Sequence, residues 1–476
     1  MSHRNLARQY IARRSPLAIA TVMLLPCILL AGCGLGTPGS VTAATASPVA
    51  PLTVHASGSV HGGQQPVNGA KVYLFAASTN GYGTASTSLL NVAASGVSTD
   101  STGNGYVTTD SNGNFNITGD YTCPTGALVY AAAVGGNPGL ASGTYNSSLS
   151  MIAALGPCSG LSASTFISIN EVTTVASVWA LAPFITDVAG VGTTLTNQTG
   201  LTNAFAAVNQ LANIGIGAAS GPSLPPGAVL PVAEINTIAD ILSACINTAG
   251  GVAGDGSACG NLFTATTPAA PAVAPSNTLT AALSMAQNPA TSVAALFSLV
   301  PTGAPFQPTL ASIPTDWTIA VKYKPAGLST PNGLAIDASG NVWIASCGSA
   351  NCTTIGVGSV TEIANSGAPI GITSAGGLNI PYAIAIDLSG NAWIANYGGN
   401  SITELNSSLA PVAAAYTGGG LNQPNSIAID NAGNAWLTNA GTSSISEFSS
   451  AGAALSGSSG ISTSGGSPIA IAINPH

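Results

Sequence analysis

Charged side chains are scarce in this sequence. Lysine and arginine together number 7 and aspartate and glutamate 15 among 476 residues, or 5% of the chain, where soluble globular domains average about 25%. All four arginines lie within the first 14 residues, and the basic residues beyond them are Lys71, Lys322 and Lys324. Three lysines cannot form a basic surface, so nucleic acid is excluded as a partner. Because 46% of the residues are hydrophobic, charge-driven disorder is excluded as well.

Histidine and the familiar catalytic motifs are also lacking. The sequence has 4 histidines and no G-x-S-x-G elbow, Walker loop, dinucleotide-binding fingerprint or haem motif. His55 and His61 have no acidic neighbour in the local sequence that would orient an imidazole as a base. The chain is therefore not expected to be an enzyme, and no cofactor or metal ion is expected.

Long hydrophobic runs are absent too, and the one apolar stretch lies near the amino terminus. Arginines up to Arg14 precede it, and Pro16 and Pro26 bracket a run too short to span a membrane comfortably. A positive segment, a short apolar segment and small residues at the end are typical of an export signal. An anchor helix is the less favoured reading of this stretch.

The last residues of this stretch, LAGC at 30–33, resemble the lipobox of bacterial lipoproteins. By that resemblance Cys33 carries a lipid, begins the mature chain and makes the membrane a partner. The glycine that follows Cys33, in place of aspartate, implies the outer membrane of the bacterial cell envelope. Residues 1–32 are then a lipoprotein signal peptide, and residues 33–55 form a flexible tether rich in small and polar residues. An ordinary signal peptide with a chance cysteine is the alternative.

Six cysteines remain once Cys27 and Cys33 are assigned to the signal and the lipid. Their spacing groups them into neighbours, and we predict three local disulfides out of 15 possible connectivities. Such bonds agree with an oxidising envelope compartment. Zinc is the alternative, although the sequence has no C-x-x-C pair and no histidine beside these cysteines. The predicted pairs are Cys123 with Cys158, Cys245 with Cys259, and Cys347 with Cys352.

Residues 56–165 are predicted to form a β-domain. Turn residues at 66–69 separate two predicted strands, the second of which runs through 71–75. The sequence DSNGN at 110–114 predicts a hairpin, and the apolar run at 127–134 is typical of a central strand. This order of strands and turns resembles carboxypeptidase-regulatory-like, transthyretin-like modules. The resemblance implies a β-sandwich near the amino terminus.

The spacing of apolar residues becomes helical over residues 166–300. Ser168 stands three residues before Glu171, which is a capping-box spacing, and the stripe from 232 to 246 indicates a longer helix. We expect a small α-helical domain clipped by a disulfide, followed by a linker at 301–315. The acids expected at helix caps or on solvated faces are Glu171, Glu234 and Asp240.

Residues 316–476 contain an internal repeat. Segments of the form PxxxAIDxxGNxW begin at Pro331, Pro381 and Pro424, and a fourth partial copy, PIAIAIN, begins at Pro468. Each full copy continues into a second similar strand, namely SVTEI, SITEL or SISEF. Successive copies start 50, 43 and 44 residues apart, which is typical of four-stranded propeller blades.

This repeat resembles the NHL repeat and is similar to the blade motif of streptogramin-lyase-like propellers. Its aspartate is expected to end a strand, its glycine and asparagine to form a left-handed turn, and its tryptophan to pack between adjacent blades. A glutamate that recurs in the second strand is also expected to be structural. The residues with these roles are Asp337, Gly340, Asn341, Trp343 and Glu362 in the first copy, Asp387, Gly390, Asn391, Trp393 and Glu404 in the second, and Asp430, Gly433, Asn434, Trp436 and Glu447 in the third.

Together these patterns predict a multidomain, mainly β protein. It has an N-terminal β-sandwich, a small α-helical middle domain and, over 316–476, an incomplete C-terminal NHL-like β-propeller of three blades plus one strand. A closed propeller needs at least about four blades. Three alternatives follow. Residues 316–324 add an outer strand to the propeller, a partner completes it, or the chain is a truncated relative of a longer protein.

The expected function is that of a lipid-anchored envelope protein with a non-catalytic binding or scaffolding role. A surface low in charge and rich in hydroxyl and amide groups favours a protein or polysaccharide ligand over an ionic one. The alternative is a propeller-type lyase or hydrolase, or a fragment without independent activity. Streptogramin-lyase-like enzymes use a histidine base in the central channel, whereas the predicted propeller has only His476.

Overall fold

The computed structural model describes residues 55–118, 121–325 and 327–474. Within these ranges strands come first, helices follow, and strands return from residue 331 onward. The predicted signal peptide, Cys33 and nearly all of the predicted tether lie outside the described residues. No helix in the described ranges is long and apolar enough to cross a membrane.

Ten strands build the first part of the fold, and their bounds are β1 (His55–Gly62), β2 (Gln65–Pro66), β3 (Lys71–Ala76), β4 (Thr87–Ser88), β5 (Ser98–Thr99), β6 (Gly105–Thr108), β7 (Asn114–Thr118), β8 (Leu128–Val134), β9 (Ser150–Pro157) and β10 (Thr165–Ile169). One sheet has the order β5-β6-β3-β8-β9, with β4 also paired to β3. In the other sheet β1 lies between β10, to which it is parallel, and β7, to which it is antiparallel. The short strand β2 pairs with the end of β1.

The near-continuous apolar sequence of β8 reflects its position in the middle of a sheet. It pairs with β3 along one edge and with β9 along the other, and its central residues are buried. The prediction of a central strand at 127–134 is confirmed. The predicted hairpin at 110–114 is wrong in its connection, although Asp110 does form the turn by accepting the N–H groups of Asn112 and Asn114. The turn leads from β6 in one sheet to β7 in the other, because β6 pairs with β3 and β5 instead.

Six α-helices follow these sheets, with bounds α1 (Glu171–Leu181), α2 (Gln198–Leu211), α3 (Val232–Ile246), α4 (Ala258–Thr266), α5 (Thr278–Gln287) and α6 (Val293–Phe297). Two 3-10 turns (Cys158–Gly160 and Leu195–Asn197) and two small hairpins, β11 (Ile185–Asp187) with β12 (Gly190–Val191) and β13 (Ala212–Asn213) with β14 (Ala218–Ala219), complete this part. The helix predicted from the stripe at 232–246 is confirmed as α3.

The capping box of α1 differs from the predicted one. Asn170 is the N-cap, its side chain accepts the N–H of Thr173, and the Thr173 hydroxyl accepts the N–H of Asn170. The predicted pair of Ser168 and Glu171 is wrong, because Ser168 belongs to β10 and donates its N–H to the carbonyl of Ile214. The amide of Asn170 offers the same capping chemistry two residues later.

One hydrophobic core joins these sheets and helices. Its buried side chains run from Ala56 to Trp317 and come from both sides of the predicted boundary at 165/166. Helix α1 also completes the hydrogen bonding of the edge strand β9, since the hydroxyls of Thr174 and Ser177 accept the N–H groups of Ile152 and Ala154. The strands and helices of residues 55–317 therefore pack as one body.

Residues 301–324 lie against the helices. Helix α3 holds the first part of this stretch: Asp240 accepts the N–H of Phe306 at 3.0 Å, and Thr237 accepts that of Leu310 at 2.8 Å. Lys322 forms an isolated β-bridge with Val229. The expectation that 316–324 adds an outer strand to the propeller is therefore wrong, because these residues find their partners in the helical part.

Three antiparallel sheets form the repeat region. The first blade contains β15 (Pro331–Ile336), β16 (Val342–Ser346), β17 (Ser359–Ile363) and β18 (Pro369–Thr373), the second contains β19 (Pro381–Ile386), β20 (Ala392–Asn396) and β21 (Ser401–Leu405), and the third contains β22 (Pro424–Ile429), β23 (Ala435–Asn439), β24 (Ser444–Phe448) and β25 (Ile461–Ser462). Strands follow chain order in each sheet, as in propeller blades. In the second blade, Tyr416 and Pro411 pair singly with β21 in place of a fourth strand.

Neighbouring blades pack face to face. One apolar cluster joins the first and second blades and another joins the second and third. On the outer face of the first blade, Leu334 and Ile336 remain 67% and 62% exposed. Residues 468–474, the predicted extra strand, form no β-ladder with the described part of the chain, and the N–H of Ile471 donates to the Ser426 hydroxyl at 3.3 Å.

Candidate functional site

The aspartate of each repeat closes the tight turn between the first two strands of its blade. In the first blade, Asp337 Oδ1 accepts the N–H groups of Ser339 and Asn341 at 2.8 and 2.9 Å. The second and third blades repeat this arrangement at 2.8–2.9 Å. The turn glycines have left-handed φ angles, which favour glycine: Gly340 (+82°), Gly390 (+85°) and Gly433 (+81°).

The asparagine after each turn glycine binds a glutamate side chain. The expected left-handed conformation of this asparagine is wrong, since only the glycine before it has a positive φ. Its Nδ2 instead donates to a glutamate on the third strand of the blade. The Nδ2 to Oε1 distances are 3.2 Å for Asn341 and Glu362, 2.8 Å for Asn391 and Glu404, and 3.3 Å for Asn434 and Glu447.

The tryptophan of each repeat connects the turn to the interface between blades. Its indole N–H donates to Oδ2 of the turn aspartate, at 3.2, 3.0 and 2.9 Å in the three blades. Trp343 is buried in one cluster with Ile384 of the second blade, and Trp393 in one cluster with Ile427 of the third. Trp436 is only half-buried. Each turn aspartate therefore accepts at least three hydrogen bonds from its own blade.

These contacts shift the pKa of three of the repeat acids, namely Asp337, Asp430 and Glu362. Desolvation opposes the charge of Asp337 and Asp430, but donated hydrogen bonds, led by the tryptophan indole, outweigh it and hold the pKa of both carboxyls below the usual value. For Glu362, burial and then the charge of Asp337 raise the pKa. Asp337 and Asp430 are thus stabilised as anions by donors of their own blades.

A tyrosine that the sequence reasoning missed completes the network of the second blade. The Tyr416 hydroxyl donates to Glu404 Oε2 at 2.6 Å, and its ring stacks on Trp393 with 5.5 Å between centroids. Aligning the repeats backward from the shared GGL of residues 376–378 and 419–421 places Thr373 opposite Tyr416. That alignment is the sequence signal that would have identified this difference between blades.

All three predicted disulfides are confirmed. The Cα–Cα distances are 5.6 Å for Cys123–Cys158, 4.3 Å for Cys245–Cys259 and 5.3 Å for Cys347–Cys352. The second of these bonds links α3 to α4, and the third closes a loop after β16. The cysteines are therefore paired with each other and are not available as zinc ligands.

Glu171 and Asp240 lie in the core, so a solvated face is wrong for both, although Glu171 does stand in the first turn of α1, at the helix end where an acid was expected. Glu171 is fully buried and its carboxylate accepts the N–H of Gly63 with both oxygens, at 2.8 and 3.1 Å. Burial raises the pKa of Glu171 to about 8, and the hydrogen bonds from Gly63 oppose this rise. Asp240 is also fully buried, and burial raises its pKa to about 6. Glu234 is half-buried, and burial followed by the charge of Asp316 raises its pKa to about 7.

Within the described ranges, no three histidine, cysteine, aspartate or glutamate side chains come together as a set of metal ligands. The fully buried pair of Glu171 and Asp240 has no third such group beside it. Cys33, the predicted lipid attachment site, lies outside the described residues. The repeat network therefore remains the most regular arrangement of polar side chains in this part of the chain.

Comparison with known proteins finds likeness only among solved structures. No family model matches the sequence, and no curated protein matches it. Virginiamycin B lyase from Staphylococcus aureus is 19% identical, with 26% of this chain and 40% of that chain covered and a TM-score of 0.21. Hydrazine synthase from Kuenenia stuttgartiensis is 18% identical, with 31% and 40% covered and a TM-score of 0.25.

A putative gluconolactonase is 17% identical, with 27% of this chain and 47% of that chain covered and a TM-score of 0.21. The chain spans less than half the length of each of these three structures. Lyase-like and lactonase-like propeller proteins thus occur among the similar structures. TM-scores this low carry no argument about activity.

Proposed function

We propose that the protein is a lipid-anchored component of the bacterial envelope whose blades bind a neutral ligand without catalysing a reaction. The repeated network carries this proposal: each turn aspartate accepts two backbone N–H groups and one indole N–H, and each glutamate accepts an asparagine amide. Acids held in this way stabilise turns and strands. The turn aspartates therefore do not offer a free base to a substrate.

The remaining polar groups of the blades suit binding. The blades at 331–474 contain no histidine, lysine or arginine, while hydroxyl and amide side chains recur throughout. A surface of that kind contacts neutral hydroxyl, amide and aromatic groups better than anions, as in many protein and polysaccharide partners. The alternative activity of a propeller-type lyase has no observation in its favour among the described blade residues.

The anchor is tested by the mass of the protein recovered from bacterial membranes. Wild type should give a diacylated chain beginning at Cys33 and lacking six hydrogens for three disulfides. A Cys33→Ser variant should lose the lipid and leave the membrane fraction. A wild-type mass that still includes Met1 would refute the anchored part of the proposal.

The binding role is tested on an array of neutral and anionic glycans and of envelope proteins, probed with the full chain. Neutral ligands should be retained in preference to anionic ones and recovered chemically unchanged. Release of a product over several turnovers would show an enzyme and overturn the non-catalytic part of the proposal. Exclusive retention of anionic ligands would overturn the argument from surface composition.

A further inference from the structure

A cleft of 540 Å³ opens between the first and second blades. It lies between β18 and the turn that follows β21. Its walls include the apolar side chains of Ile370, Leu409 and Pro411, and Thr373 and Glu362 supply polar groups. The cleft adjoins the repeat network of the first blade, because Asn341 Nδ2 donates both to Glu362 Oε1 and to Oδ2 of the turn aspartate Asp337.

Glu362 brings an unpaired acceptor to this cleft. Its side chain is only 3% exposed, and its Oε1 accepts the amide of Asn341. Its Oε2 is buried and has no hydrogen-bond partner among the described residues. Buried carboxylate oxygens are normally satisfied by a donor, and an unsatisfied one in a cleft wall marks a place where a donor is missing. Glu362 belongs to the lining of the cleft, so its carboxyl is the acceptor that a donor bound there would meet.

The second blade shows which donor fits this position. There Glu404 has the same place on the third strand, and the Tyr416 hydroxyl donates to its Oε2 at 2.6 Å. Tyr416 pairs with Ile402, and in the first blade the equivalent partner of Val360 is Thr373. The first blade therefore has the acceptor but lacks the phenol ring and its hydroxyl.

In the third blade the equivalent glutamate, Glu447, does not need a further donor from the protein or from a ligand. The residue paired at the equivalent position there is Ile461, opposite Ile445. Glu447 is partly exposed, so water reaches its carboxylate. Among the three described blades, the first alone combines a buried unpaired glutamate oxygen with an unfilled cleft.

We propose that this cleft binds a phenolic group, whose ring lies against Leu409 and Pro411 and whose hydroxyl donates to Glu362 Oε2. The ligand hydroxyl then has the role of the Tyr416 hydroxyl, while its ring lies beside Leu409, which stands at the turn position that Gly452 holds against the Tyr416 ring. Such a group comes either from a small free phenol or from a tyrosine side chain of a protein partner. This inference extends the proposed binding role to one site and one ligand chemistry, and it does not depend on the lipid anchor.

Calorimetric titration of the full chain with 4-methylphenol and with toluene tests the proposal. The phenol should bind with one site per chain, and toluene at least tenfold more weakly because it lacks the donor. Thr373→Tyr should fill the cleft and weaken binding of 4-methylphenol at least tenfold. Thr353→Tyr, the same change on an exposed loop residue of the first blade, should leave binding unchanged.

Tyr416→Thr gives a gain-of-site test. It should open an equivalent cleft in the second blade and raise the number of bound 4-methylphenol molecules from one to two. Tighter binding of N-acetyl-tyrosinamide than of 4-methylphenol would support a site for a tyrosine side chain of a protein partner. Weaker binding would support a site for a small free phenol. Equal binding of toluene and 4-methylphenol, or full binding to the Thr373→Tyr variant, would overturn the proposal. Either failure would leave the mass test of the anchor unaffected.

Discussion

Replacing Glu171 with glutamine should remove a large part of the protein's loss of stability on going from acid to neutral pH. Burial raises the pKa of this carboxyl in the folded state to about 8, against an ordinary value of 4.5 for glutamate in the unfolded chain. The folded state therefore binds the proton more tightly than the unfolded state. The contribution of the protonated Glu171 carboxyl to the free energy of unfolding is then fully present below pH 4.5 and is lost as the pH rises through 8. The reason is that the unfolded chain releases this proton at a lower pH than the folded chain.

The magnitude follows from the two pKa values. The whole difference corresponds to about 5 kcal/mol, and the part lost between pH 4.5 and 7.5 is about 3 kcal/mol. Asp240, whose folded-state pKa burial raises to about 6, adds a loss of the same sign at lower pH. Glu234, whose folded-state pKa is raised to about 7, also contributes between pH 6.5 and 7.5, but less because its side chain is half-buried, so Glu171 carries the largest share of the slope of stability in that range.

Urea unfolding followed by circular dichroism at 222 nm measures this effect, since all six described α-helices share the core that contains Glu171. At pH 4.5, Glu171→Gln should lie within about 1 kcal/mol of wild type, because both side chains are neutral there. At pH 7.5, the variant should be more stable by about 3 kcal/mol. The Asp240→Asn variant should keep most of the decrease of stability above pH 6.5. Burial, and not the charge of Asp240, is the main cause of the raised pKa of Glu171. Parallel curves for wild type and Glu171→Gln would refute the reasoning.

Three further predictions concern the blades and the helical part. Trp343→Ala should cost about 3–5 kcal/mol in urea unfolding, because a buried indole is lost, and Trp436→Ala should cost less, because that side chain is half-buried. Asp387→Ala should cost roughly 1–3 kcal/mol in the same assay, because two backbone N–H groups and an indole N–H lose their acceptor. Replacing Cys245 and Cys259 with alanine should cost about 3 kcal/mol in thermal unfolding, as for a closed loop of about 15 residues.

Each of these expectations has a result that contradicts it. Equal costs for the two tryptophan variants would show that burial between blades does not govern their contribution. An Asp387→Ala variant as stable as Asp387→Asn, which keeps one acceptor oxygen, would show that the turn does not depend on the hydrogen bonds. A double cysteine variant that unfolds at the wild-type temperature in oxidising buffer would show that the bond adds no constraint.

The blade region was largely predictable from the sequence because its information is local and repeated. Proline, aspartate and glycine mark the same strand ends three times, and the strands at 331–336, 381–386 and 424–429 begin where the repeats begin. The role of the asparagine was not predictable in this way. Its φ is not positive, the turn aspartate accepts its N–H, and its side chain binds a glutamate on another strand.

The helical part shows why local patterns fail for polar residues. Ser168, Asn170 and Glu171 all have types that suit a helix start, and only the neighbouring strand β10 decides which of them is the cap. Glu171 and Asp240 look like surface acids in sequence. Their burial depends on the Gly63 turn and on the stretch at 304–310, which reach the helices from distant parts of the chain.

The placement of β1 also determines how the fold bears a mechanical load. It is the first described strand, and it is bonded to β10 along one edge and to β7 along the other. A pull along β1 from the amino-terminal side loads these ladder bonds in shear, so that they share the force and do not open one after another. The strand nearest the proposed tether is thus placed to resist extraction by a force applied from the amino-terminal side.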